Sequence, residues 1–235
     1  MIKVLGSIVL IFVISVQCQT WNSRACLVGY SAYYTKIMQE VFTHIERDYR
    51  WCNMKVNNRG QRVDELLYKW HATGTVNYTN SFVVSIEKID LTNIVPIFGT
   101  TTVNGTQTTV QNIRGQVNLR ELTLGFDVTA NLDDSGTHRF TGEYSHLLVS
   151  FVTLISWNSN TNELTTTANA VTTTSNNRRM VYKPANNITE MLSRGFHSRD
   201  NDDSFVRWAR DIIAPLMQEV AAPLKFPTVR FDGRC

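Results

Sequence analysis

Residues 122–132 read Leu-Thr-Leu-Gly-Phe-Asp-Val-Thr-Ala-Asn-Leu. Leu122, Leu124, Phe126, Val128, Ala130 and Leu132 occupy every second place, with Thr123, Asp127, Thr129 and Asn131 between them. Side chains alternate faces along a strand, so this pattern predicts a sheet with one apolar and one polar face. What covers the apolar face then becomes the question on which function turns.

Working outward, His71 to Tyr182 reads mostly as β. The expected strands are Thr75–Tyr78, Phe82–Leu91, Thr108–Ile113, Gly115–Leu132, Arg139–Trp157, Glu163–Thr173 and Arg179–Tyr182, with Asn104-Gly105 and Ser135-Gly136 as turns. Leu147–Trp157 is apolar on both parities, which predicts cover on both faces. The strands near 115–132 and 139–157 exceed the usual five or six residues. Long antiparallel strands tend to coil and can wrap a helix. Upstream, Trp51–Gln61 reads as a polar loop, and Val63–Trp70 fits either a helical turn or the lead into a strand.

Helical patterns flank this middle. From Ala25 to Tyr49, Leu27, Tyr30, Tyr34, Ile37, Val41 and Ile45 recur at three and four residues. Burying such a stripe contributes on the order of 10 kcal/mol before entropy, so it must face something. Near the other end, Asn187 is expected to cap a short helix running to Arg194, with Glu190 at the third position and Gly195 as the stop. A second long helix is expected from Ser204 to Ala222. Its stripe is Phe205, Trp208, Ile212, Leu216 and Val220, and Pro215 should kink it by removing a backbone donor.

The 235-residue chain is 43% hydrophobic and 18% charged. Residues 1–18 resemble a secretory signal: Lys3 is the basic lead, Val4–Val16 the apolar run, and Val16 and Cys18 the small-residue cleavage positions. The remainder, 19–235, reads as one domain. Removing Lys3 leaves 22 Lys plus Arg against 20 Asp plus Glu, too weak a balance to draw nucleic acid or an anionic membrane surface. No later apolar run is long enough for a stable membrane span. Sequons at Asn77, Asn104 and Asn187 fit a secretory route and an extracellular location.

Cleavage after Cys18 leaves Cys26, Cys52 and Cys235, an odd number, so one thiol is left over and available to link two chains into a dimer. An unbroken helix between Cys26 and Cys52 would hold them roughly 36 Å apart at about 1.5 Å per residue. Bridged Cα atoms lie within about 7 Å. Cys235 is therefore expected to pair with one of the other two.

The search for chemistry finds little. His44, His71, His138, His146 and His197 form no metal-ligand spacing, so no metal is expected. There is no nucleophile elbow, phosphate loop or dinucleotide fingerprint, and no catalytic residue or cofactor emerges. The expectation is a protein that is not an enzyme.

Three stretches carry a resemblance. Ser85-Ile86-Glu87-Lys88-Ile89-Asp90-Leu91-Thr92-Asn93-Ile94 looks like a strand entering a long hairpin, Gly115–Leu132 like an amphipathic second strand, and Leu147–Thr173 like the hairpin before the final helices. In this order the chain resembles the arthropod group 7 mite-allergen family. That family belongs to the tubular lipid-binding (TULIP) superfamily, with the bactericidal/permeability-increasing and juvenile-hormone-binding proteins. The resemblance implies an α+β fold: a strongly curved, long-stranded antiparallel sheet wrapped around a long C-terminal helix, with an N-terminal amphipathic helix. It also implies an apolar groove for a lipid, fatty acid or terpenoid tail. Phe126, Val128, Val149, Phe151, Ile212 and Leu216 are the expected lining. Two alternatives stand beside this: a secreted protein-interaction module with a filled core, and a lipocalin-type carrier.

Overall fold

The alternating stretch lies at the end of a strand far longer than itself. The structure is a computed structural model that describes residues 25–231 except 49, 68, 104, 105, 176 and 177. In chain order its elements are β1 (Cys26–Leu27), α1 (Tyr30–Arg47), α2 (Arg50–Asn53), β2 (Arg59–Leu67), β3 (Trp70–Ser85), β4 (Lys88–Val103), β5 (Thr106–Leu132), β6 (Gly136–Asn158), β7 (Glu163–Thr174), β8 (Val181–Lys183) and α3 (Asn187–Leu192). A 3-10 turn, Ser198–Asn201, leads into α4 (Asp202–Trp208), a π turn (Ala209–Ile213) and α5 (Ala214–Ala221) before β9 (Val229–Arg230).

Seven of the strands form one antiparallel sheet with the order β2-β3-β5-β6-β7; β4 pairs with one half of β5, and β8 pairs with β6. The expected α+β fold with a strongly curved sheet around a long helix is overturned. The described residues are mostly β, 54% strand and 26% helix, the C-terminal helix has 24 residues, and the sheet is open and not strongly curled. Lengths give the physical reason. A helix of 24 residues spans roughly 36 Å, whereas the 27 residues of β5 span roughly 90 Å when extended. The helix lies against part of the sheet and cannot form an axis for the whole of it. Nor is this a lipocalin barrel: β2 and β7 end the sheet, and no pairing among the described residues joins them.

The apolar face changes parity part-way along. In β5 the inward residues are odd from Ile113 to Leu119, then even from Leu122 to Leu132. In β6 they are even from Phe140 to His146, then odd from Val149 to Ile155. Pairing between the two strands stays in one register throughout. Glu121, at φ 52°, stands at the switch in β5. Both sets of residues enter one core, so the two strands turn their side chains over together. Leu148, Val152 and Leu154, on the opposite parity of β6, are only half-buried, so the run at 147–157 is covered fully on one face alone.

Two strands fall outside the expected set. β2 takes the last three residues of the stretch read as loop and runs on through Val63 to Leu67, where the sequence fits either a helical turn or a strand lead, and β4 continues past Leu91 through Pro96 to Val103. Proline is tolerated there because β4 pairs only with β5, leaving its other side free of the ladder. A register shift between Thr92 and Val95, with Asn93 at φ 52°, precedes the proline.

The helices cover the apolar face from both ends of the chain. The stripe of α1 buries Tyr34, Ile37, Met38, Val41 and Ile45. Tyr34 reaches deepest. Its ring lies over the backbone of Gly115, and its hydroxyl is 2.7 Å from Thr153 Oγ1. On the C-terminal helix Phe205 and Trp208 are buried as expected, but beyond them the buried side chains are Ile213, Leu216, Met217 and Ala221. The π turn adds a residue ahead of Pro215, which lacks an N–H, and so rotates the inward face from Ile212 to Ile213.

The short helix is capped one residue earlier than its sequence suggests. Asn186 Oδ1 accepts from the Thr189 N–H at 3.0 Å, and Thr189 Oγ1 accepts from the Asn186 N–H at 2.8 Å. Asn186→Ala is therefore expected to lower stability by about 1 kcal/mol, and Asn187→Ala by much less, in urea unfolding. Equal losses would contradict this assignment of the cap.

Candidate functional site

The six residues expected to line a groove fall in two places. Phe126, Val128, Val149, Phe151 and Leu216 are all buried in the core. Ile212 is half-buried and faces a separate, more polar cleft with Lys55, Asn57 and Asp211. The apolar residues of the sheet centre are packed against one another and the helices.

A concavity lies instead at one end of the sheet. It measures about 900 Å3 and is bounded by the end of β6 (Trp157), the start of β7 (Glu163, Leu164), the end of α5 (Gln218, Ala222) and the tail from Leu224 to Val229. Pro223 follows the helix, and the chain then runs extended past Pro227 into β9. There Val28 N–H donates to the Thr228 carbonyl at 3.0 Å, and Cys26 pairs with Arg230. Trp157 stacks on Phe226 with ring centres 5.9 Å apart, and Tyr33 meets the other side of that contact edge-on at 5.6 Å. The wall is thus apolar and aromatic, while Gln111, Asn162, Glu163, Lys225 and Thr228 supply polar groups around it.

A second groove of about 620 Å3 runs between Thr165–Asn169 of β7 and Val206, Arg210, Ala214 and Pro215 of the helix. Gln218 borders both grooves, so they adjoin along the outer side of β7. Side chains tie this edge strand to the helix: Gln218 Nε2 donates to the Leu164 carbonyl at 2.9 Å, and Thr166 Oγ1 to the Ala214 carbonyl at 2.9 Å. These bonds occupy groups that an edge strand otherwise presents to solvent.

A third feature is a polar cluster inside the protein. The guanidinium of Arg59 lies 4.6 Å from the ring centre of Phe196 and 5.4 Å from that of Tyr78. Its Nη1 donates to Asn201 Oδ1 at 2.8 Å; Nε and Nη2 are buried with no hydrogen-bond partner among the described residues, and Nε stands 3.9 Å from Asp200 Oδ2 in an ion pair. Asn201 Nδ2 lies 3.0 Å from His146 Nε2, so the imidazole accepts there and carries its proton on Nδ1, also buried and unpaired. Burial and then the charge of Arg59 push the His146 pKa down to about 4. Burial lowers the Arg59 pKa, and the Asp200 carboxylate works against that. The hydroxyls of Tyr78 and Tyr182 are 3.1 Å apart, and burial raises the Tyr78 pKa to about 12. Along β2, Arg59 and Gln61 share the inward parity of the buried Val63, while Gly60 and Arg62 are exposed.

Ser135 Oγ lies 2.9 Å from His138 Nε2 on an exposed turn, away from these clefts. Among the described residues no three His, Cys, Asp or Glu side chains converge to hold a metal, and no helix is long and apolar enough to cross a membrane.

The sequons and cysteines are only partly within view. Asn77 is half-buried on β3, Asn187 is exposed, and Asn104 lies outside the described residues, as does the expected signal segment. Cys26 is disulfide-bonded. Cys235 and the side chain of Cys52 lie outside the described set. No family model matches the chain, and no curated protein matches it.

Proposed function

We propose that the chain is a secreted, non-enzymatic protein that binds an apolar ligand (a lipid, fatty acid or terpenoid) in the groove between Trp157, Leu164 and the tail. The observation that supports this reading is the groove itself. Its volume of about 900 Å3 falls in the range of roughly 300–1,000 Å3 typical of small-molecule sites. Trp157, Leu164, Leu224, Phe226 and Val229 give it the apolar wall such a ligand needs, and the polar rim gives a means of orienting one end.

Native mass spectrometry of the secreted protein, followed by organic extraction, tests the reading. A stoichiometric apolar molecule is the expected result. Leu164→Arg, which places a charge on the half-buried wall, is expected to weaken binding at least about tenfold while leaving the fold intact. A bare mass, with no melting shift across fatty acids, phospholipids and terpenoids, would count against it.

The packed centre of the sheet favours a second reading, a secreted interaction module with a filled core. Phe82, Val84, Val95 and Ile97 are exposed on β3 and β4, as such a surface requires. That reading expects the bare mass, together with an oligomer in sedimentation.

A further inference from the structure

The cleft between the segment leading into β8 and the turn after α3 differs from the apolar grooves. It measures about 440 Å3, and three arginines from two parts of the chain border it: Arg178, Arg179 and Arg194. Two carboxylates serve these three cations. Glu121 holds Arg178 in a two-bond pair, Oε1 accepting from Nη2 at 2.8 Å and Oε2 from Nη1. Glu190 Oε1 is shared between Arg179 Nη1 at 3.1 Å and Arg194 Nη2 at 3.7 Å. One positive charge is left over, and among the described residues the two arginines that share Glu190 meet it through one nitrogen each.

Hydroxyls stand beside this charge. Ser175 Oγ and Ser198 Oγ, which also border the cleft, are 3.0 Å apart. In such a pair one O–H is used and the other remains free to donate. The floor is aromatic: Tyr144 and Phe196 have ring centres 4.6 Å apart. Arg59 lies 4.6 Å from the Phe196 ring on the inner side, where the Asp200 carboxylate at 3.9 Å balances its charge, so the excess at the cleft rests on the three outer arginines.

We propose that this cleft binds a tetrahedral phosphate-type oxyanion, either free phosphate or the head group of an anionic lipid. Arginine forks present paired N–H groups to phosphate oxygens, and the spare serine proton supplies a further donor. An anion also offsets the excess charge, which a neutral sugar or an apolar tail does not. The site is separate from the apolar groove and does not depend on it.

The test has two arms, each run on the wild type, on a variant carrying Arg179→Gln and Arg194→Gln, and on Arg210→Gln. Arg210 pairs with Asp211 outside the cleft and serves as the control. All three arginines are exposed, and thermal melts establish that the variants are folded. The first arm titrates inorganic phosphate at fixed ionic strength by calorimetry. The second floats the protein with phosphatidylcholine vesicles, with and without phosphatidic acid.

The expected result is saturable binding in at least one arm, weakened about tenfold or more in the double variant and unchanged in Arg210→Gln. Binding in the calorimeter alone assigns the site to free phosphate; capture only by vesicles containing phosphatidic acid assigns it to a lipid head group. Failure in both arms, or binding that the double variant retains, overturns the proposal.

Discussion

Gly115→Ala is expected to destabilise the protein by roughly 3 kcal/mol or more, a large effect for one methyl group. A β-carbon at position 115 would lie 2.6 Å from Cε2 of Tyr34 and closer still to the ring's outer end. Tyr34 has nowhere to retreat. Its side chain is fully buried, and its hydroxyl is held by Thr153. The mutant must either lift α1 from the sheet or break that hydrogen bond, which by itself is worth about 1 kcal/mol. A double-mutant cycle in urea checks the mechanism. Tyr34→Ala is destabilising alone, because it leaves a cavity. In that background Gly115→Ala should cost little, giving a strong coupling between the two sites. Additive losses would show that Gly115 matters for some reason other than this contact.

The second large effect is expected on acidification. His146 is buried and neutral, with its pKa depressed from 6.5 to about 4. In the unfolded chain it takes a proton near 6.5; in the folded protein it resists until about 4. Its contribution is therefore fully present above about 6.5 and is lost as pH falls through about 4. A gap of that size corresponds to about 3 kcal/mol. Asp90 and Asp211 titrate below this window. Hydrogen bonds from Lys88 and Arg120 hold the Asp90 carboxyl under its ordinary 3.8, and a hydrogen bond from Arg210 does the same for Asp211. Urea midpoints measured at intervals from neutral pH to about 4 should fall for the wild type. His146→Gln, which keeps an acceptor for Asn201, should flatten that decline; an unchanged slope would assign the acid sensitivity elsewhere.

The contrast between these two sites shows what was legible in the sequence. Strict alternation at Leu122–Leu132 revealed a strand and its inward face, because only burial on one side produces such a pattern. The same logic revealed the buried stripe of α1. What failed was inference across elements. The parity switch at Glu121 cannot be read from periodicity, since each half looks regular on its own. The π turn moved the inward face of the C-terminal helix by one residue, and Ile212 with it. β2 was hidden because Asn57-Asn58-Arg59-Gly60 carries turn residues, although only the last two enter the strand. The degree of curling depends on how a helix of fixed rise compares with strands that climb twice as fast, and the resemblance to tubular proteins obscured that comparison. The apolar groove was missed for a related reason. Its wall comes from the ends of four elements, so no single stretch displays it.

The order in which the covering layers occur along the chain has a consequence for synthesis. During translation α1 emerges first, and the sheet then assembles largely from consecutive hairpins. By Thr174 its long strands are complete, but Phe205, Trp208, Ile213 and Leu216 have not yet been made. For that interval the nascent chain displays a half-covered oily surface, with β7 still lacking its partner Gln218. The residues of the C-terminal helix thus close this sheet only after its long strands exist. A messenger truncated after β8 would yield a sticky sheet rather than a smaller functional protein, and the ribosome-bound intermediate is where a chaperone has most to protect.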